Sequence, residues 1–477
     1  MKRIFLASLI VATPAWAQPA DPQPQPAQPA QPEPPTQTEP KEPAEPKVDL
    51  KLHELEQRLQ KVEDELEQAK DDNSYLEEKL QSLLPLTGKI SGYVDMGAFV
   101  TSGNGAGTRT DLLQTWFPEF IDKVPGSWVF YGDPLSTAIN SRGDVADTGE
   151  SRAVTFDPIN SHGKSTMLVN AVNLALFSGI GETAQLNASI DFVPRARDVS
   201  DPAGLFVGDY IDVKLAYAEW RPRIEKFDLM LQAGKFDSVV GYEYRSLESP
   251  DRVGVTPSLI CRYTCGRPTG LKARARFLDE ALILNVAVTN GSHFSEGFPF
   301  SSETDTNQMK TGAGRLSYQI AKVVEFGVSG AWGAQDFQPF NDVYQWHYGA
   351  DMHIDWKDLE VTAEYVHGRA KGKTSPMAMA ECDVAPCLNY KGAYGLVAYR
   401  VTNMFVPYIR VDWRDAYHYS GASFVYIADL ARATLGLRAE IGTRVIVKIE
   451  GTKNRELEKD VPQIPNDVLT SSLVIKY

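Results

Sequence analysis

Long apolar runs are missing from this sequence. Hydrophobic residues make up 43% of its 477 positions, yet no stretch reaches the ~18 consecutive apolar residues that a spanning helix requires. A membrane role is therefore open only to strands. Positive charge is also short. The 48 Lys and Arg face 62 Asp and Glu, a net charge of −14, which argues against nucleic acid as a partner. Cysteine is scarce, and Cys261, Cys265, Cys382 and Cys387 fall into two local pairs. Neither spacing is C-x-x-C and both pairs sit among turn residues, so two short-range disulfides are expected rather than a four-Cys metal site. No cofactor and no metal are expected. Catalytic constellations are lacking too. Gly163-Lys164-Ser165 has no upstream glycine of a phosphate-binding loop, and the seven histidines are scattered. The reading is not an enzyme, and no catalytic residue is assigned.

The N-terminus carries three successive signals. Lys2 and Arg3 precede a short apolar run from Ile4 to Val11, and Ala15-Trp16-Ala17 offers a small-x-small cleavage site. Residues 1–17 thus predict a secretory signal, too short for an anchor. No cysteine stands near the cleavage site to take a lipid. Residues 18–47 are dominated by Pro, Gln, Ala and Glu and predict an extended spacer. Residues 48–84 change character. Leu52, Leu59, Leu66, Asn73 and Leu80 recur every seventh position, and Leu55, Val62, Ala69, Leu76 and Leu83 form a second series three residues later. These are the a and d positions of an α-helical coiled coil. A helix this acidic has only copies of itself to pack on, so a homo-oligomer is expected, a trimer in preference to a dimer. Pro85 ends it.

From Lys89 onward the period becomes two. Leu271, Ala273, Ala275 and Phe277 alternate with Lys272, Arg274 and Arg276. Tyr348, Ala350, Met352, Ile354 and Trp356 alternate with His347, Asp351, His353 and Asp355. Such runs are expected near 89–100, 165–177, 183–193, 209–221, 227–236, 269–278, 282–290, 311–321, 324–334, 345–356, 358–369, 391–401, 404–414, 428–441, 443–452 and 466–477. Seven connections are tight, and the others are long, the longest running from Thr101 to Lys164. Trp220, Trp332, Trp356, Tyr399 and Trp413 cluster at strand ends. Short turns alternating with long loops, an even strand count and an aromatic girdle predict that residues 85–477 form an all-β transmembrane barrel of about 16 antiparallel strands in a bacterial outer membrane. A soluble sandwich has shorter strands, of ~5–6 residues.

Alternation assigns one face to the lumen. Lys272, Arg274, Arg276, Arg315, Arg410, Arg432 and Arg438 are basic candidates for the pore wall, and Asp351, Asp355 and Glu360 are acidic ones. The basic residues concentrate on the sixth strand and the twelfth to fifteenth, the acidic ones on the tenth and eleventh. Either opposed walls of opposite sign set a transverse field, or the lumen is simply hydrophilic. The connection from Asp237 to Pro268 is the candidate constriction. It holds Glu243, Arg245, Glu248, Asp251, Arg252, Arg262 and Arg267, with Cys261 and Cys265 stapling the tip that bears Arg262. A stapled surface loop is the competing reading.

Gly234-Lys235-Phe236, Gly241-Tyr242-Glu243, Ser249-Pro250-Asp251 and Pro268-Thr269-Gly270-Leu271 together resemble the strand–loop–strand signature of OmpL-like bacterial outer-membrane β-barrel porins. More distantly the chain is similar to phosphate- and polyphosphate-selective porins, some of which carry an N-terminal coiled coil. The cysteine pairs and the long first loop depart from that pattern, so the solute is not carried over. The resemblance implies a porin for passive diffusion of small hydrophilic solutes, and the basic wall adds a weak anion preference. Membrane lipid and lipopolysaccharide would surround it. The alternative is an anchor that tethers the membrane to peptidoglycan through the coiled coil and Pro-rich segment.

Overall fold

The computed structural model describes residues 58–62, 89–101, 127–129, 165–192, 211–224, 226–291, 305–334, 339–378, 381–385, 387–419, 425–457 and 467–477. Contacts divide the chain into Met1–Lys79 and Leu80–Tyr477. In the first unit a helical turn at 58–62 is described, with Leu59 and Val62 exposed on it. The secretory signal, the Pro-rich segment and the rest of the heptad series lie outside the described residues.

The second unit is a closed ring of strands. In chain order they are β1 (Ile90–Thr101), β2 (Ser127–Val129), β3 (Thr166–Ile180), β4 (Ala184–Phe192), β5 (Ile211–Trp220), β6 (Asp228–Lys235), β7 (Thr269–Phe277), β8 (Leu282–Thr289), β9 (Thr311–Ile320), β10 (Val324–Ala334), β11 (Tyr344–Trp356), β12 (Leu359–Ala370), β13 (Cys387–Tyr399), β14 (Phe405–Tyr419), β15 (Val425–Ile441), β16 (Val445–Glu456) and β17 (Val468–Lys476). Apart from β2, each pairs antiparallel with the next. The ring closes where β17 returns to β1, with Tyr93 opposite Lys476 and Thr101 opposite Val468. The sixteen expected strands are thus present. The short β2 is an addition, running parallel to the outer end of β15 with Ser127 opposite Val425. The rest of the first long connection lies outside the described residues.

Burial is inverted relative to a water-soluble domain, as a lipid-exposed barrel requires. Leu271, Val286, Val328, Ile409 and Leu435 are exposed on the outside, while Lys272, Asn285, Arg315, Arg410 and Thr434 are buried inside. Trp220, Trp332, Trp356 and Tyr399 project outward near strand ends. At the tight ends the chain reverses through left-handed residues, including Asp279 (φ 53°), Lys322 (φ 58°), Lys357 (φ 58°) and Gly442 (φ 62°).

Strict alternation fails at two bulges. Opposite Asp95 and Met96 the register steps from Ala171 to Val169, leaving Asn170 as the extra residue. Opposite Ser189 and Ile190 it steps from Leu215 to Val213, leaving Lys214. A bulge admits one extra residue and re-aims a side chain. Here Lys214 points inward together with the odd-numbered Tyr217 and Glu219, a combination that period two forbids. Cys261 is bonded to Cys265 and Cys382 to Cys387. Cys387, expected in a turn, is the first residue of β13, because that strand and β14 rise further on the long-loop side than the alternation indicated.

Candidate pore constriction

The connection between β6 and β7 does not stay outside the ring. It turns in, and inward-facing residues around much of the circumference grip it. The entry is at Gly241, whose φ of +74° suits glycine, and where a Cβ would stand 2.1 Å from Glu364 Oε1. This turn aims the amides of Tyr242 and Glu243 at Glu364 Oε2 on β12, at 2.9 and 3.2 Å. The Gly241 amide donates to Ser329 Oγ on β10 at 3.2 Å. A 3-10 turn, Glu243–Ser246, follows. From it Arg245 makes a forked pair with Glu325 of β10 at 3.0 and 3.1 Å. Its guanidinium lies 4.6 Å from the centre of the Tyr242 ring, which itself stacks on His353 at 4.5 Å.

Glu248 sits at a crossing. Its carboxylate accepts from Tyr93 Oη of β1 at 2.6 Å, from Lys214 of β5 at 2.5 Å and from Arg267 at 2.8 Å. Burial alone would push this carboxyl up, but Lys214 and Arg267 outweigh burial and hold it at about 2. Burial does win at Glu243, which is pushed upward although Arg410 and Ser258 favour its charged form. The Ser258 amide donates to it at 2.7 Å.

The next eight residues are held by β14 to β16. Lys448 Nζ donates to the carbonyls of Ser249, Arg252 and Gly254 at 2.5, 2.7 and 3.0 Å. Arg438 donates to the carbonyls of Pro250 and Arg252. Two positions along β16, Glu450 takes the opposite polarity. It accepts from the amides of Val255 and Thr256, from the Thr256 hydroxyl and from Tyr408 Oη. Arg410 donates to the Thr256 carbonyl at 2.6 Å and to Asp412, whose other oxygen accepts from the Leu259 amide. One ammonium gathers carbonyls and one carboxylate gathers amides, so a period-two pair on β16 satisfies much of this segment's backbone, and Arg438 and Arg410 satisfy more of it.

The tip is a short helical turn, Cys261–Thr264, in which Cys261 and Tyr263 are fully buried, as is Cys265 directly after it. Tyr263 stacks on Tyr390 of β13 at 3.9 Å, and Tyr390 Oη is 2.8 Å from His347 Nδ1. Arg262 is half-buried on this turn. Arg267 closes the loop on Asp237 at 3.0 Å.

The residues expected on the wall do not share one role. Arg410 and Arg438 bind the loop, and Lys272 reaches the Asp237 carbonyl at 3.1 Å. Arg315 pairs with Asp351 and with Glu325, and Arg432 with Asn454. Arg276 lies 3.8 Å from Asp228 and 3.3 Å from Glu280, and Arg274 beside it is partly exposed. Asp355 and Glu360 face a cavity of about 530 Å3 on the tight-turn side of the loop, with Tyr242, Arg245 and Asp251 also lining it. Arg315 meets Asp351 and Arg410 meets Asp412 directly, so most of the charge is paired locally or taken up by the loop. Lys214 and Glu325 were absent from the expected site, whereas Glu248 was among the charges expected in the constriction loop. The bulge hid Lys214, and Glu325 is legible only once the loop lies inside.

A family model described as putative beta-barrel porin-2, OmpL-like, matches residues 170–468, well over half of the chain. The chain belongs to this family. It is therefore an outer-membrane porin of general type, in a bacterial outer membrane. No curated protein matches this porin. Among solved structures it is similar to the outer membrane channel DcaP of Acinetobacter baumannii, with 10% identity, TM-score 0.46, and coverage of 81% of this chain and 96% of that one. It is also similar to the anion-selective porin from Comamonas acidovorans, with 9% identity, TM-score 0.46, and coverage of 81% and 98%. A third is OmpT of Vibrio cholerae in trimer form, with 8% identity, TM-score 0.44, and coverage of 81% and 98%.

Proposed function

We propose that this porin is a passive diffusion pore for small hydrophilic solutes, narrowed by the loop from Asp237 to Pro268. The observation that carries this reading is the placement of that loop. Residues of β1, β5, β10, β12, β14, β15 and β16 bond to it from around the ring. In this reading Lys272, Arg274, Arg276, Arg315, Arg410, Arg432, Arg438, Asp351, Asp355 and Glu360 form the pore wall. Glu243, Arg245, Asp251, Arg252, Arg262 and Arg267 belong to the constriction. A weak anion preference rests on the run of basic residues on β7, Lys272, Arg274 and Arg276. The heptad seam supports a trimer.

Planar-bilayer recording of the purified protein tests the reading. Stepwise currents are expected, with a reversal potential of anionic sign in a salt gradient. A membrane that stays silent, together with retention of the protein on peptidoglycan, would replace the pore with the tether. Deleting residues 48–84 is expected to lower the native mass to that of a monomer; an unchanged mass removes the coiled coil from assembly.

A further inference from the structure

One wall of the lumen departs from the rule that a pore lining is polar. The inward residues of β13 are Leu388, Tyr390, Gly392, Tyr394, Leu396 and Ala398, all buried and none charged. Val366 and Ala370 of β12 and Val406, Tyr408 and Ala416 of β14 widen this apolar strip on either side. The constriction loop covers its outer half. Ile260 and Tyr263 pack there, and a Cβ on Gly392 would stand 2.6 Å from Ile260 Cγ2. The inner half meets open space instead. Tyr394, Leu396, Ala398 and Val406, with Val253 of the loop, line the cavity of about 530 Å3 on the tight-turn side.

Beside this apolar surface stand carboxylates without cations. Asp355 and Glu360 are directly opposite each other on β11 and β12, and Glu360 is in turn opposite Ala398. Asp251 lines the same cavity from the loop. None of the three forms an ion pair among the described residues. The arginines of the cavity are committed elsewhere. Arg245 is paired with Glu325, Arg400 with Glu440 and Arg410 with Asp412, and Arg252 donates to the carbonyls of Leu247 and Val255. Lys357 and Asp358, adjacent at the turn, offset each other in charge. The unmatched charge of the cavity is negative.

A metal ion does not fit it. Among the described residues, the one set of metal-ligand atoms close enough to converge is Glu243, Cys261 and Cys265, whose sulfurs are joined in a disulfide. An inorganic cation would also gain nothing from Leu396, Ala398 and Val406. We infer that the inner chamber is a binding site for small organic cations, an ammonium group carried on an apolar body. The ammonium is held by Asp355, Glu360 and Asp251, and the body lies against Leu396, Ala398 and Val406. Cavities of this size take small molecules, with apolar lining for affinity and a few polar groups for orientation. The basic run of β7 is five strands away around the ring, so a local cation site and a weak anion preference of the whole pore coexist. Binding requires the loop to lie inside the ring but requires no conduction, and it rests on only that part of the pore reading.

Ligand-observed NMR titration of the full-length porin in detergent tests the site, with benzylammonium as probe and methylammonium, benzyl alcohol and benzoate as comparisons. Benzylammonium is expected to bind on the order of 10-fold more tightly than each of these. Asp355→Asn with Glu360→Gln should weaken its binding about 10-fold, and Leu396→Ser about 5-fold. The charge-conserving pair Asp355→Glu with Glu360→Asp should retain binding, which guards against misfolding of the neutral variant. Absence of benzylammonium binding overturns the inference. So does equal binding of any comparison compound, or unchanged binding by the neutral pair or by Leu396→Ser. The titration needs no current, so a silent bilayer would strike the pore reading and leave the site standing.

Discussion

Two connections of this barrel are closed by short-range disulfides, and they are held in different ways. Cys261–Cys265 lies inside, both residues at 0% exposure, in a loop bonded to wall residues far away in sequence. Cys382–Cys387 lies at the outer edge. Its loop is organised by its own residues: the Cys382 amide donates to Thr374, Ser375 donates to Asp383, and Lys373 bridges to Ala385. Closing a loop of about five residues contributes about 2 kcal/mol by chain entropy in either place. In the inner loop that is one restraint among many. In the outer loop it is a leading one. A crosslink matters most where the fold supplies no other register.

Mutations can break or sharpen this contrast. The largest effect is expected from Lys448→Met, which strands the carbonyls of Ser249 and Gly254 and leaves that of Arg252 to Arg438 alone. Removing one partner of a buried charged set costs about 3–5 kcal/mol, enough to release residues 249–256. Single-channel conductance should rise, with larger current noise; unchanged traces would mean the grip does not set the constriction. Next comes Gly241→Ala, which forces a β-carbon into the Glu364 carboxylate at a left-handed position. It should disturb the other end of the loop and raise conductance less. Third is acid. Glu248 is held at about 2 against an ordinary 4.5. Its depressed value means that its contribution is complete above about pH 4.5 and is lost as pH falls through about 2. In conductance measured from pH 7 downward, the change due to Glu248 should come only below about pH 3, apart from an earlier change as the raised Glu243 carboxyl takes its proton. Fourth, Cys382→Ser with Cys387→Ser should leave conductance alone while limited proteolysis cuts the outer loop faster. Smallest is Cys261→Ser with Cys265→Ser, for which neither readout should move appreciably. If the inner pair proves the more sensitive by conductance, the wall contacts are weaker than their number implies.

Much of this was legible beforehand because a barrel repeats one rule. Each strand has to show lipid one face, so Leu271 and Lys272 declare their sides from position alone. The rule stops where the chain inserts a residue. Lys214 reads as out of phase with Glu219, and only the bulge reconciles them. It also stops at the loop. Its length and charges marked it, but which carboxylate meets which amide depends on residues about 200 positions apart. The signature carrying the resemblance turned out to hold the grips themselves: Gly241-Tyr242-Glu243 meets Glu364, and Ser249-Pro250-Asp251 begins the segment around Lys448. The paired charges show why wall signs alone left a transverse field and a merely hydrophilic lumen both open. Sequence orders charges along strands, whereas neutralisation runs across them.

Those long separations bear on assembly. The Val255 amide and Glu450 are 195 residues apart, and Lys448 and the Ser249 carbonyl are 199. Contacts this distant pay their loop-closure entropy late. The inner segment cannot settle until β16 has arrived beside β15, by which time nearly the whole ring exists. Before then the segment is an open, polar stretch available to whatever machinery inserts the barrel. Its docking is thus a natural last step of maturation, and protection of residues 249–256 against a protease would time the completion of the ring.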